Sequence, residues 1–442
     1  MADTAVLAGD DPRQAMAGLP MTTRQFLAVG MCVLLNALDG FDVLSISFAS
    51  PGIAKEWGID RAALGVVLSM ELFGMAFGSV LLGQVADRIG RRPTVIGCLV
   101  VMALGMLATT QVHSIEALAA AQLFTGLGIG GMLATTNALI AEYANDRWRG
   151  AAVAVMAAGY PMGAIAGGAI ASNLLAADNW RDVFMLGAIM TALFLPLVPF
   201  LLPEPVSALL QNRRGDTLGQ VNHSLVKLGH AGIATLPPVE AQPRKASVGE
   251  LFAPGTAPVT VLLTLAYFLH IMTFYFILKW VPKIVVDMGF TPASAGGVLV
   301  WANVGGLIGG LLFSALSLRF TLRALLVAFM LASTVMVAVF GQGQADLHGL
   351  SLAAAAGGFC TNAGVVGLYA LVASSFPTAI RGGGTGFVIG VGRGGAALGP
   401  ILGGLLFAAG FGLPVVAALM ASGSLLAALA LLALPKRLPD GA

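Results

Sequence analysis

Twelve separate stretches of this sequence stay apolar for about the 20 residues that a helix needs to cross a hydrocarbon layer. They fall near 25–48, 62–83, 94–111, 116–141, 150–175 and 183–202, then near 257–281, 293–317, 322–341, 348–376, 383–409 and 412–434. Only 10% of the residues are charged and 57% are hydrophobic. A soluble domain carries roughly 25% charged residues, so most of this surface cannot face water. The expected fold is an all-α membrane protein of twelve transmembrane helices. Segment 203–256 is rich in Pro, Gly and charge (Glu204, Arg213, Arg214, Lys245) and too polar to span. It reads as a central loop with short surface helices. The chain then divides into a tail (1–24), a six-helix bundle (25–202), the loop (203–256), a second six-helix bundle (257–434) and a tail (435–442). The 58 glycines suit helices that must pack closely in lipid.

Cationic residues set the orientation. If both termini are cytoplasmic, the outer segments hold only Lys55, Arg61, Arg181, Lys279 and Lys283 of the 23 Lys and Arg. Arg393 falls within a span, and all the others lie inside. Trp280 beside Lys279 reads as an interface anchor. The N-terminus is acidic (Asp3, Asp10, Asp11) and lacks the charge pattern of a cleaved signal, so the first apolar run is expected to be retained. The net charge of +2 is scattered, which argues against nucleic acid as a partner. Cys32, Cys98 and Cys360 all sit in apolar runs without CxxC or a His/Cys cluster, so no disulfide, metal or cofactor is expected. No HExxH, GxSxG or Walker loop supports an enzyme, and no soluble output domain supports a sensor.

The two halves echo each other. Gly78, Gly83, Arg88 and Arg92 lie 231 positions before Gly309, Ser314, Arg319 and Arg323, and Arg149-Gly150 lies 232 before Arg381-Gly382. A duplicated six-helix unit leaves such a step, and parallel repeats place a substrate path between the halves near the bilayer midplane.

A few polar side chains fall at mid-depth. Asp39 and Asp42 in the first span share one helical face by their i, i+3 spacing. An ionised Asp at a helix centre costs ~2.5–3.5 kcal/mol on insertion scales, so neither is expected to face lipid. Desolvation and a like charge both favour the protonated form of a carboxyl, which equips the pair to hold and release a proton. Arg393 in the eleventh span cannot discharge itself; its planar guanidinium suits a carboxylate held by two hydrogen bonds. Tyr160, Trp301, Asn303, Asn362 and Tyr369 are candidates for lining a cavity, with packing as the competing role. His270, with Tyr267, Phe274 and Tyr275 in the seventh span, is a candidate for a substrate contact or the proton path.

Gly83-Gln84-Val85-Ala86-Asp87-Arg88-Ile89-Gly90-Arg91-Arg92, between the second and third spans, resembles the loop motif of the major facilitator superfamily. Leu38-Asp39-Gly40-Phe41-Asp42 resembles the aromatic acid:proton symporter family within it. Glu142-Tyr143 with Arg149-Gly150, and Gly392-Arg393-Gly394-Gly395, fit the same group. At Pro203-Glu204-Pro205-Val206-Ser207 the chain departs from the usual Pro-Glu-Ser-Pro. The resemblance implies two pseudo-symmetric six-helix bundles and Asp39 and Asp42 as transport-essential residues. It also sets the second and eleventh spans face to face, which makes Glu71–Arg393 a candidate gate. Asp87 would dock at the start of the eleventh span, beside Arg88, Arg91 and Arg92, and hold the cytoplasmic side closed; Glu142, beside Arg147 and Arg149, is a candidate for a local salt-bridge cluster or for conformational switching. The implied function is import of a small, aromatic carboxylate with protons by alternating access, in a monomer of the bacterial inner membrane. A ring-cleavage dicarboxylate such as muconate is the alternative substrate; a membrane sensor is the alternative outside transport.

Overall fold

The computed structural model describes residues 11–177, 179–213, 215–238, 248–377 and 380–435. Asp3, Asp10, Arg214, Arg244, Lys245, Lys436 and Arg437 lie outside the described residues. A short helix α1 (Pro12–Gly18) precedes six long ones: α2 (Thr23–Trp57), α3 (Arg61–Ile89), α4 (Arg91–Thr109), α5 (Ile115–Tyr143), α6 (Arg149–Leu174) and α7 (Arg181–Leu201). The central segment holds α8 (Val206–Gln211) and α9 (Thr217–Lys227). Six more long helices follow: α10 (Ala257–Asp287), α11 (Pro292–Leu316), α12 (Leu322–Gly341), α13 (Leu347–Ser374), α14 (Arg381–Ala408) and α15 (Leu413–Leu432). Among the described residues, twelve helices are long and apolar enough to span a membrane.

Local chemistry fixes the helix ends. Thr22 opens α2 through a capping box with Gln25, and the side chains of Asp60, Ser114, Thr291 and Asp346 cap α3, α5, α11 and α13. Left-handed glycines Gly58, Gly289, Gly343 and Gly410 close the turns after α2, α10, α12 and α14. Three helices outrun their apolar stretches: α2 by the segment to Trp57, α3 to Ile89 and α10 to Asp287. Hydropathy stops at the first charges, whereas backbone hydrogen bonding carries a helix onward.

The repeat is visible in the packing. Cβ atoms at Gly74 and Gly78 of α3 would stand 2.2 and 2.1 Å from the Leu123 and Leu127 carbonyl oxygens of α5. Those at Gly305 and Gly309 of α11 would stand 1.9 and 2.1 Å from the Ala355 and Phe359 carbonyls of α13. Both contacts recur at the step that the sequence predicts, so the two bundles are built on one plan.

Both described chain ends, α8 and α9 share one face of the molecule, the terminal face; the turns after α2, α4, α6, α10, α12 and α14 form the opposite face, which is the outer one if the termini are cytoplasmic. The bundles are joined toward the outer face. There Arg61 pairs with Asp287 at 3.0 Å, and Ser69 Oγ donates to the Ala397 carbonyl at 2.6 Å. A Cβ at Gly404 would stand 2.4 Å from the Arg61 carbonyl. At the terminal face Asp87, Arg88 and Leu318 are exposed.

Candidate functional site

Asp39 and Asp42 sit side by side in the middle of α2, both fully buried. Neither oxygen of Asp39 has a hydrogen-bond partner. Asp42 Oδ2 accepts from Thr191 Oγ1 of α7 at 3.3 Å, and its Oδ1 has none. Gly40, between them, lets α2 touch α6: a Cβ there would lie 2.0 Å from the Tyr160 carbonyl oxygen. Asn36 Nδ2 bonds the Met156 carbonyl at 2.6 Å and fixes the same contact. The acids therefore face neighbouring helices rather than lipid.

Glu71 of α3 is fully buried and pairs with Lys279 of α10 at 2.9 Å, with both side chains 0% exposed. Lys279 also donates to the Val43 carbonyl of α2. Two readings of the sequence are corrected here. Glu71 is held by Lys279 and not by Arg393. Lys279 and Trp280 are no interface anchors, since α10 continues past them and turns both inward; Trp280 Nε1 donates to the Pro400 carbonyl at 3.0 Å.

Arg393 of α14 is half-buried beside the Tyr369 hydroxyl of α13 and close to Tyr267 and Tyr275 of α10. Tyr267 donates to Tyr369 at 3.1 Å, and their rings meet edge to face at 5.8 Å. Tyr275 lies beside Tyr160 of α6, whose hydroxyl has no hydrogen-bond partner. Among the described residues no carboxylate is within ion-pairing distance of Arg393. The arrangement is a cation with aromatic walls, two helices away from a pair of buried acids.

The remaining candidates do not join this group. His270 is buried inside the second bundle, where its ring nitrogens bond Ser424 Oγ and the Thr361 carbonyl, each at 2.9 Å. Asn303 bonds its own helix at the Leu299 carbonyl, and Asn362 ties α13 to the Gly306 carbonyl of α11 at 2.7 Å. Trp301 is 52% exposed on the outward stripe of α11 with Ile308 and Leu312, away from buried Leu299, Asn303 and Gly306.

At the terminal face the loop motif forms a network within the first bundle. Arg91 pairs with Glu142 at 2.8 Å, so Glu142 is held by Arg91 in place of Arg147 or Arg149. Arg149 pairs with Asp146 at 2.9 Å. Glu204 accepts from the backbone amides of Arg91 and Arg92 and so caps α4. Burial pushes its carboxyl up from the usual range, against the pull of those amides. Arg92 donates to the Pro199 carbonyl at 2.9 Å, and Asn212, directly after α8, donates to the Asp87 carbonyl. Asp87 itself is exposed and undocked.

The sequence profile of the Major Facilitator Superfamily matches residues 32–341 and 263–442. The 3-(3-hydroxy-phenyl)propionate transporter of Escherichia coli K12 is 33% identical over 94% of this chain and 95% of its own length. This chain belongs to the major facilitator superfamily, in its aromatic acid transporter family. The gallate transporter of Pseudomonas putida is similar too, at 30% identity over 94% of this chain and 92% of its own. The superfamily fold is seen again in the inward-open structure of the xylose transporter XylE from E. coli, with a TM-score of 0.74 and 16% identity over 94% of this chain and 98% of that one. The protein is thus a membrane transporter and not an enzyme.

For a superfamily member, the residue that sequence reasoning missed is Lys279. It lay two positions from the end of an apolar run, which disguised it as a boundary. The signal was its position one turn after Tyr275.

Proposed function

We propose that the protein imports a small aromatic carboxylate together with protons by alternating access across a bacterial inner membrane, with both termini cytoplasmic. The observation that carries this reading is the pair Asp39 and Asp42, fully buried with three of their four oxygens unpartnered. Permanently ionised acids in that position would be prohibitive, and permanently neutral ones would be expected to donate to an acceptor. Groups that load and unload protons meet both conditions. Arg393, a cation with tyrosines and no acid of the described residues beside it, supplies the other requirement, a place for an anion. The names of the relatives, transporters of gallate and of a hydroxyphenylpropionate, support an aromatic substrate.

The energetics favour coupling. Drawing one negative charge inward against the membrane potential costs about 2.3 kcal/mol per 100 mV, and one accompanying proton cancels that cost. The test is uptake of labelled hydroxybenzoates and phenylpropionates into proteoliposomes under an imposed pH gradient. Wild-type protein concentrates substrate when the outside is acidic. Asp39→Asn retains exchange of labelled for unlabelled substrate and loses concentrative uptake. Robust gradient-driven accumulation by that variant would sink the coupling claim.

A further inference from the structure

A cavity of about 920 Å³ opens at the terminal face and includes none of Asp39, Asp42, Glu71 or Arg393. Its walls are the end of α3, the start of α4 and the two helices of the central segment, α8 and α9. Arg88, Arg92, His223 and Lys227 line it, against the carboxylates of Glu204 and Asp216. Both acids are already engaged. Glu204 accepts from the Arg91 and Arg92 amides, and Asp216 caps α9 by accepting from the Gly219 amide at 2.9 Å. The cations are less well served. Among the described residues the side chains of Arg88 and His223 have no hydrogen-bond or ion-pair partner, Lys227 Nζ reaches the Pro199 carbonyl only at 3.4 Å, and Arg92 Nε is buried without an acceptor. The cavity also has an apolar side. Pro93 and Ile96 of α4 line it, and the same stripe of α4 runs on through Val100, Leu104 and Leu107, all exposed on a spanning helix. Basic groups thus pass directly into a surface that faces acyl chains.

We propose that this cavity binds the phosphate of an anionic phospholipid headgroup, with an acyl chain lying along the stripe of α4 that Val100, Leu104 and Leu107 form. A phosphodiester anion takes charge-assisted hydrogen bonds from guanidinium and ammonium groups together. Basic pockets at the ends of membrane helices suit such headgroups, and each cation near the surface adds to the attraction. A soluble phosphate could use the same donors but would gain nothing from the apolar stripe, which favours the lipid as the source. The site belongs to the first bundle alone. Arg319 and Arg323 hold the repeat positions of Arg88 and Arg92, but Arg323 donates to the Leu432 and Pro435 carbonyls. Among the described residues α8 and α9 have no repeat counterpart to wall a cavity there. Because α8 and α9 come from the central segment, a bound headgroup ties that segment to the turn between α3 and α4.

The test is native mass spectrometry of the full chain titrated with phosphatidylglycerol, phosphatidylcholine or inorganic phosphate, with no transport substrate present. Wild type binds one phosphatidylglycerol about tenfold more tightly than phosphatidylcholine, and millimolar phosphate leaves that lipid in place. Arg88→Gln/Lys227→Gln lowers the affinity for phosphatidylglycerol about thirtyfold, as removal of two cations beside an anionic headgroup implies. Arg319→Gln/Arg323→Gln, at the same face of the second bundle, lowers it less than about twofold. If the first double variant folds poorly, Arg88→Gln alone, at an exposed position, lowers the affinity about fivefold. Equal losses in the two double variants would reduce the effect to general attraction between basic surface and anionic lipid and overturn the proposal. Equal binding of the two lipids would overturn it too, as would displacement of the lipid by phosphate, which would mark a site for a soluble anion. Because no substrate or gradient enters the measurement, its outcome is separate from that of the uptake assay.

Discussion

In the proposed function, Arg393 and its tyrosines are where a single side chain would decide what binds. The guanidinium keeps its charge in any surroundings, and no acid of the described chain neutralises it. A substrate carboxylate would do so through two charge-assisted hydrogen bonds, together worth roughly 3 kcal/mol. Arg393→Gln is therefore expected to weaken substrate binding about a hundredfold, read as loss of substrate-induced thermal stabilisation. Arg393→Lys should recover only part of it, because an ammonium cannot form the planar fork. Tyr369→Phe removes one hydroxyl beside the arginine and should cost about fivefold, near 1 kcal/mol. Unchanged binding in Arg393→Gln would assign the arginine to packing. The two acids of α2 were legible because their spacing is local. The partners of Glu71 and Arg393 were not, since those contacts join residues from opposite bundles or distant helices, which one-dimensional spacing does not encode.

Among the helices, α4 shows how a loop motif becomes structure. Gly90 takes φ +109, which brings the chain back on itself directly before α4, and the Glu204 carboxylate arrives from beyond α7 to accept from the first amides of α4. A carboxylate at a helix N-terminus is favourable both as a cap and against the helix dipole. Glu204→Ala should lower stability by about 1 kcal/mol. Its pH dependence follows from burial, which raises this carboxyl in the folded chain. Its contribution is then greatest in acid and declines as pH rises through the raised value, so the melting-temperature gap between wild type and Glu204→Ala narrows toward alkaline pH. A constant gap would show that burial does not govern this carboxyl. Helix number and approximate bounds were readable from hydropathy, but the lengths of α2 and α10 were not. Misjudging α10 is what hid Lys279, because a residue assigned to a boundary is not asked for a partner.

At the level of the whole molecule, the outer seam defines the state described here, with the bundles joined by Arg61–Asp287 and Ser69–Ala397. Cysteines at Arg61→Cys and Asp287→Cys, joined by a short cleavable cross-linker, should arrest transport, and cleavage should restore it. Undiminished transport while cross-linked would mean that the seam need not open. The duplication was legible from a few glycines and arginines, and the packing of Gly74 and Gly78 against that of Gly305 and Gly309 repeats it in three dimensions. The symmetry fails at the acids, while arginines of the repeat are kept. Ala302 stands at the repeat position of Glu71, and Leu318 at that of Asp87. Asp39, Asp42 and Glu71 belong to the first bundle, and Lys279 and Arg393 to the second. The copies have specialised like the two poles of a magnet. A hydrocarbon bilayer would tolerate Glu71 or Lys279 poorly without the other, so separately expressed halves should accumulate only when made together, when the two residues become each other's counter-ion.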